Sequence, residues 1–198
     1  ETKVHIKSIH SEEITRENAK DILAGVDGIL VAPGFGSRGI EGKINAVEYA
    51  RVNKIPFMGI CLGMQCAVVE FARNVLGYED AHSREMSPDT KHPVIDIMAE
   101  QKNITNMGGT MRLGAYPCKV DENSNLYRAY GETLISERHR HRYEFNNEYI
   151  EEFKKHGMKI TGVNPDTNLV EVVEIEDHPW YVASQYHPEY KSTVAKPH

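Results

Sequence analysis

Cys61 stands in Gly59-Ile60-Cys61-Leu62-Gly63, directly after the apolar run Ile55-Pro56-Phe57-Met58, and His187-Pro188-Glu189 lies far downstream. These are the residue types of a nucleophile, its base, and an acid that orients the base. A strand that turns sharply into a helix exposes a nucleophile at the carboxyl end of a sheet, and small neighbours let the strained turn form. The dipole of the following helix favours the thiolate, the form that attacks. Extended backbone sends residues i and i+2 to the same side, which sets Glu189 within reach of His187. The chemistry implied is a Cys61-His187-Glu189 triad. By itself a cysteine after an apolar strand is most often a small buried hydrophobe, and the flanking glycines and His-Pro-Glu are what lift Cys61 above that.

A triad needs elements to converge it. The 198 residues, 40% of them hydrophobic, predict one domain with its own core. Lys3 to Ile9 alternates as a strand would, and Thr15 opens a helix to about Ala24, ended by Gly25. Gly28 to Ala32 is a continuous apolar run, typical of a buried parallel strand. A glycine-rich loop follows at Pro33 to Gly39, then a helix through Ile44 and Val47 to about Asn53. Ile55 to Ile60 is the next strand, and Leu62 to Leu76 the helix after the elbow. This order predicts an α/β fold, a doubly wound, mostly parallel sheet flanked by helices, with ligands at the strands' carboxyl ends. The second half reads strand-rich: Pro93 to Met98, Thr110 to Leu113, Tyr116 to Val120, Leu134 to Phe145, Met158 to Val163, Leu169 to Ile175 and Trp180 to Tyr186. One helix is expected at Glu148 to His156, and Ser83 to His92 reads as a surface loop.

The formal charge of −6 and pI near 5.9 argue against nucleic acid or an anionic membrane as partner. No apolar stretch approaches the roughly 18–20 residues of a membrane span. No signal peptide is visible, although the chain begins at Glu1 without Met, so removal of an upstream segment stays open. Cys61, Cys66 and Cys118 lack metal-type spacing, and a working thiolate fits a reducing, cytoplasmic setting.

Three further stretches carry a resemblance. Gly59-Ile60-Cys61-Leu62-Gly63-Met64-Gln65, Arg138-His139-Arg140-His141-Arg142-Tyr143-Glu144 and Gln185-Tyr186-His187-Pro188-Glu189, with Gly108-Gly109-Thr110-Met111-Arg112-Leu113-Gly114, resemble the glutaminase domain of CTP synthases. The first and third motifs belong to the wider class I glutamine amidotransferases, whose flavodoxin-like fold the resemblance implies; the Arg-His stretch points to the CTP synthase branch. The likeness runs from about Val4 to Lys196. It implies that Cys61 attacks the amide of glutamine to form a thioester and release ammonia, with His187 and Glu189 as base and orienting acid. It places the oxyanion on the N–H groups of Leu62 and Gly34. It also implies glutamine binding by Gly34, Leu62, Gly63, Met64, Gln65, Glu85 and Arg142, with Phe35 beside the substrate stem.

No metal or cofactor is implied for this domain. ATP with magnesium, and UTP, belong to the synthetase domain of such enzymes, GTP is their activator, and the full enzymes are homo-oligomers. The family usually reads Pro-Gly-Gly-Phe-Gly where this chain has Ala32-Pro33-Gly34-Phe35-Gly36, so Pro33 removes one N–H from the loop. Residues 1–198 are expected to be one glutaminase domain lacking its usual first strand and last helix, with the synthetase domain absent.

Other readings compete. Alternating cations at Arg138 to Arg142 suit an anion or RNA face, although Glu137 and Glu144 blunt the latter, and His139 with His141 suits a two-histidine metal site without an evident third ligand. The loop at Pro33 to Gly39 lacks the Lys-Ser/Thr ending of a phosphate cradle. Cys66, Cys118, Tyr49, Trp180 and the methionines read as packing residues. The rival functions are a stand-alone γ-glutamyl hydrolase and a catalytically silent, partner-binding module.

Overall fold

Alternation alone makes no strand of Lys3 to Ile9: among the described residues no strand pairs with it, and Val4 and Ile6 stay exposed. The computed structural model of the chain describes residues 3–97 and 111–198. The expected helix at Thr15 to Ala24 shrinks to α1 (Ala19–Ile22). Asn18 folds its side chain back to accept the Thr15 N–H at 2.8 Å, so the first turn is a capped turn rather than helix.

The first apolar run gives β1 (Ile29–Val31), followed by α2 (Ile40–Val52), β2 (Phe57–Ile60) and α3 (Leu62–Asn74). β1 and β2 are parallel, as the intervening helix requires. Residues beyond α3 form β3 (His82–Ser83) and β4 (Pro93–Ile97). The expected end of that strand at Met98, and the Gly108-Gly109-Thr110 part of the motif with the strand start at Thr110, lie outside the described residues.

β5 (Arg112–Val120) is one continuous strand where the sequence suggests two. A helix that periodicity does not reveal, α4 (Asn125–Tyr130), starts on Ser124, whose Oγ accepts the Tyr127 N–H at 2.9 Å, and stops at Gly131 in the left-handed region. The long strand expected from Leu134 to Phe145 splits into β6 (Leu134–His141) and β7 (Tyr143–Phe145). α5 (Ile150–Lys155), β8 (Met158–Val163), β9 (Val170–Ile175) and β10 (Tyr181–Ser184) complete the chain, and a 3₁₀ turn covers Pro188–Lys191.

Among the described residues the main sheet runs β1-β2-β10-β9-β8-β5-β6, and a small sheet runs β3-β4-β7. The α/β class expected from the sequence is present, with the parallel pairs of the main sheet confined to β1-β2-β10; its other neighbours are antiparallel. The reason is connectivity. Short turns join β8 to β9 and β9 to β10, and such turns permit only antiparallel neighbours. β6 and β7 serve different sheets, so the backbone leaves one sheet for the other at Arg142.

The core lies between α2, α3 and the sheet, with Val47, Phe57, Met64, Val68, Phe71 and Tyr181 almost fully buried. Each such side chain contributes about 1.5–3 kcal/mol. A second cluster around Cys118, Leu126, Ile135 and Tyr186 packs beneath α4. Cys66 and Cys118 are both buried packing residues, and Tyr49 and Trp180 pack at the edges of clusters as expected.

Candidate active site

β2 ends at Ile60, and Cys61 takes φ 52° and ψ −103°, a strained conformation for a residue with a side chain. The strain is held in place on both sides. Cys61 N–H donates to Ser184 O at 2.7 Å, which ties the elbow to β10. A Cβ on Gly59 would lie 2.8 Å from the Gly63 backbone, and one on Gly63 would lie 2.2 Å from Val31 O. The two glycines therefore let α3 start hard against β1 and β2. Burial pushes the Cys61 thiol up to about 12, outweighing the Leu62 N–H at the head of α3, which pulls it down. The expected dipole-favoured thiolate is thus not the resting form of the site.

β10 also leads to His187, the expected base. His187 N–H donates to Arg138 O at 2.8 Å, and the buried ring stacks on Tyr190 with centroids 4.4 Å apart. Its Nδ1 lies 2.6 Å from Glu189 Oε1. A carboxylate accepts, so Nδ1 carries the hydrogen and Nε2 is left as the basic nitrogen. Nε2 is buried and has no hydrogen-bond partner among the described residues. The expected pair forms by a different route: Pro188 to Lys191 is a 3₁₀ turn, not an extended segment, and the turn folds Glu189 back onto the ring.

The candidate substrate residues meet in one cleft. Gly34, Cys61, Leu62, Gln65, Glu85 and Arg142 line it, and Phe35, Met111, His141 and Tyr143 complete the wall. Counted out to its mouth, open solvent included, it is about 330 Å³. Glu85 is raised by burial and lowered by the Arg142 charge, which places acid and cation within electrostatic reach of one another. Arg142 faces the cleft because it occupies the break between β6 and β7. Phe35 is half exposed, with the Arg140 guanidinium 5.5 Å from its ring centroid. Gly63 and Met64 do not line the cleft: Gly63 is there for the approach to Val31, and Met64 points into the core. A larger hollow flanks β1, lined by Lys7, Leu23, Leu30 and Lys43, and contains none of the triad.

Behind the cleft lies a buried polar cluster. On β6 the arginines face out and the histidines in, as the alternation predicts. His141 Nδ1 faces Tyr143 O at 3.2 Å and must donate to it, so His141 Nε2 accepts from His139 Nδ1 at 2.7 Å. Each ring thus engages the other through one nitrogen, Nδ1 of His139 and Nε2 of His141. Arg112 bonds Glu144 at 3.1 Å and Glu171 at 2.8 Å. One guanidinium faces two carboxyls, and burial pushes Glu144 up to about 8 and raises Glu171.

Burial and Arg112 hold His139 down to about 2 and His141 to about 3, from an ordinary 6.5. Below pH 6.5 the unfolded chain binds these protons and the folded chain does not, so each histidine costs about 2 kcal/mol of stability at pH 5 relative to neutral pH. Glu144, raised, acts in the opposite direction over the interval from 8 to 4.5. Urea denaturation of wild type and His141→Gln at pH 7 and pH 5 separates the two: the variant should gain about 2 kcal/mol relative to wild type on acidification. An unchanged difference would show that His141 takes up its proton in the fold.

The glutamine amidotransferase class-I family model matches residues 1–198. CTP synthase of Flavobacterium johnsoniae is 63% identical over 198 residues, and that of Clostridium beijerinckii 62% over 197. Both matches take in the whole of this chain and 37% of the relative, so the chain spans little more than a third of the curated relatives' length. The glutaminase domain of Trypanosoma brucei CTPS, solved with bound acivicin, superposes with a TM-score of 0.92 at 39% identity, over 99% of this chain and 77% of that one. A glutamine amidotransferase from Thermotoga maritima shares the fold, with a TM-score of 0.52 at 12% identity over 82% of this chain and 56% of that one. With an elbow cysteine, a histidine just past β10 and a family match along its entire length, the chain belongs to the class I glutamine amidotransferases, on the branch formed by the glutaminase domains of CTP synthases.

Proposed function

We propose that this chain hydrolyses glutamine through Cys61, His187 and Glu189, and that the ammonia serves a synthetase domain that aminates UTP to CTP with ATP and magnesium. The observation that carries the reading is a single cleft holding the elbow cysteine together with an acid and a guanidinium, Glu85 and Arg142. A free amino acid presents an α-ammonium and an α-carboxylate, and these two side chains complement them. Gln65 Oε1, buried without a partner among the described residues, offers an acceptor to a substrate N–H.

Cys61 Sγ forms a bond to the carboxamide carbon while His187 Nε2 takes the thiol proton. Because burial disfavours a lone thiolate, sulfur and imidazole exchange the proton as attack begins, and Glu189 stabilises the imidazolium. The oxyanion rests on the N–H groups of Leu62 and Gly34. Collapse expels ammonia with the proton from His187, and water then cleaves the thioester to glutamate. Activation by GTP and assembly into a homo-oligomer fit the same enzyme type, as does a cytoplasmic setting in which three thiols remain reduced.

A diazo-ketone glutamine analogue, with the adduct mapped by mass spectrometry, tests the reading. Labelling at Cys61 alone, blocked by glutamine and lost in His187→Ala, supports it. Indiscriminate labelling of Cys61, Cys66 and Cys118 contradicts it. CTP formation from UTP and ATP in the complete enzyme distinguishes it from a γ-glutamyl hydrolase. Glu85→Gln should raise KM for glutamine about 10–100-fold with little change in kcat, the loss of one charge-assisted contact to the ground state. A fall in kcat alone would assign Glu85 elsewhere.

A further inference from the structure

Two buried amides join the nucleophile to the cleft wall, and neither belongs to the triad. The Tyr143 carbonyl can only accept, so Gln65 must turn its NH₂ toward it, at 3.2 Å. The same nitrogen gives its second hydrogen to Gln185 Oε1 at 3.3 Å. Gln185 is fully buried, and with its oxygen engaged its NH₂ faces Cys61 Sγ at 3.6 Å. The reversed amide would set two NH₂ groups against each other. A backbone carbonyl thus dictates, through two side chains, that the sulfur meets a donor.

The chain just past β10 sets the placement. Residues 185 and 187 share one side of the β10 extension, and the intervening Tyr186 packs away into the second cluster. The Gln185 N–H is itself fixed, donating to Glu171 O at 2.8 Å. An NH₂ group that cannot accept discriminates between protonation states: it strengthens against S⁻ and does little for S–H. In a site this buried, such donors decide whether the thiolate can form at all.

We propose that Gln185 holds the Cys61 thiolate in the glutaminase reaction, its amide aimed by Gln65. The inference rests on Cys61 being the nucleophile of that reaction. Among the described residues Gln65 Oε1 is the acceptor of the pair left unengaged, so a substrate N–H placed there completes a hydrogen-bonded line from substrate to sulfur.

The test is the pH dependence of Cys61 alkylation by iodoacetamide in the intact protein, read by mass spectrometry, for wild type, Q185E and Q185L. Q185E keeps the shape and the acceptor for Gln65 but replaces the donor. Q185L removes both, and melting temperatures report whether each variant is folded. The midpoint should rise by about one unit or more in each folded variant, the expected effect of losing one hydrogen bond to a charged group. A change in packing alone would alter the labelling rate without moving the midpoint. An unmoved midpoint, with wild-type Cys61 labelled and protected by glutamine, overturns the role of Gln185 and leaves the nucleophile standing. Wild-type Cys61 that is neither labelled nor protected overturns both.

Discussion

Replacing Cys61 by alanine should lower glutamine hydrolysis by about 10⁴-fold or more, because the thioester path loses its only bond-forming atom. The fold should survive. Cys61 is 3% exposed and contributes one sulfur to its surroundings, while the elbow is held by Gly59, Gly63 and the bond from its own N–H to Ser184. Cys61→Ser should fall nearly as far, since a hydroxyl in a site that raises even a thiol to about 12 is not ionised by an imidazole. Ammonia release measured beside the melting temperature decides the matter. A folded Cys61→Ala protein retaining a hundredth of wild-type activity would move the nucleophile to another residue.

The second large effect concerns stability. Arg112→Met should destabilise the fold by about 3–5 kcal/mol. Arg112 forks between Glu144 and Glu171 and lies 4.6 Å from the Tyr116 ring centroid. Without the guanidinium both carboxyls stay buried with no cation, a far worse state than an apolar core of the same shape. Arg112→Lys should recover only part of the loss, because a point charge cannot serve two acids as a planar fork does. Removing the acids as well, in Arg112→Met with Glu144→Gln and Glu171→Gln, should restore most of it. Urea midpoints for the three proteins test this, and an additive series would show that the cluster is not coupled.

What the sequence made legible was chemistry with a local signature. Gly59 and Gly63 announce the elbow because each contact that forbids a Cβ there comes from backbone near in space. His187 and Glu189 were legible as a pair, but the 3₁₀ turn that joins them was not, since Pro188 suits either an extended or a turn start. Gln185 sits two residues before His187 with no role that its residue type announces, although i, i+2 parity with the base was the signal that could have found it. The antiparallel half of the sheet was obscured because pairing depends on partners remote in sequence, as β5 with β6 and β8 shows. The strand expected at Lys3 to Ile9 failed for the same reason: alternation specifies a face, not a neighbour. The break at Arg142 was invisible within a run that alternates on both sides of it, and that break is what turns the cation toward the cleft.

The contact between Gly63 and Val31 reaches beyond the elbow. It pins the start of the Ala32 to Gly39 loop to the nucleophile helix, while Gly42, whose Cβ would collide with Ser11 O, pins α2 just past the loop's other end. Between these pegs Gly36 sits in the left-handed region with open space where a side chain would be, and Phe35 projects outward. Of the two donors assigned to the oxyanion, Leu62 is therefore bolted to the frame and Gly34 hangs on a tethered span. The two proposed oxyanion donors are thus fastened to the fold independently, one through the elbow and the other through the two ends of the loop.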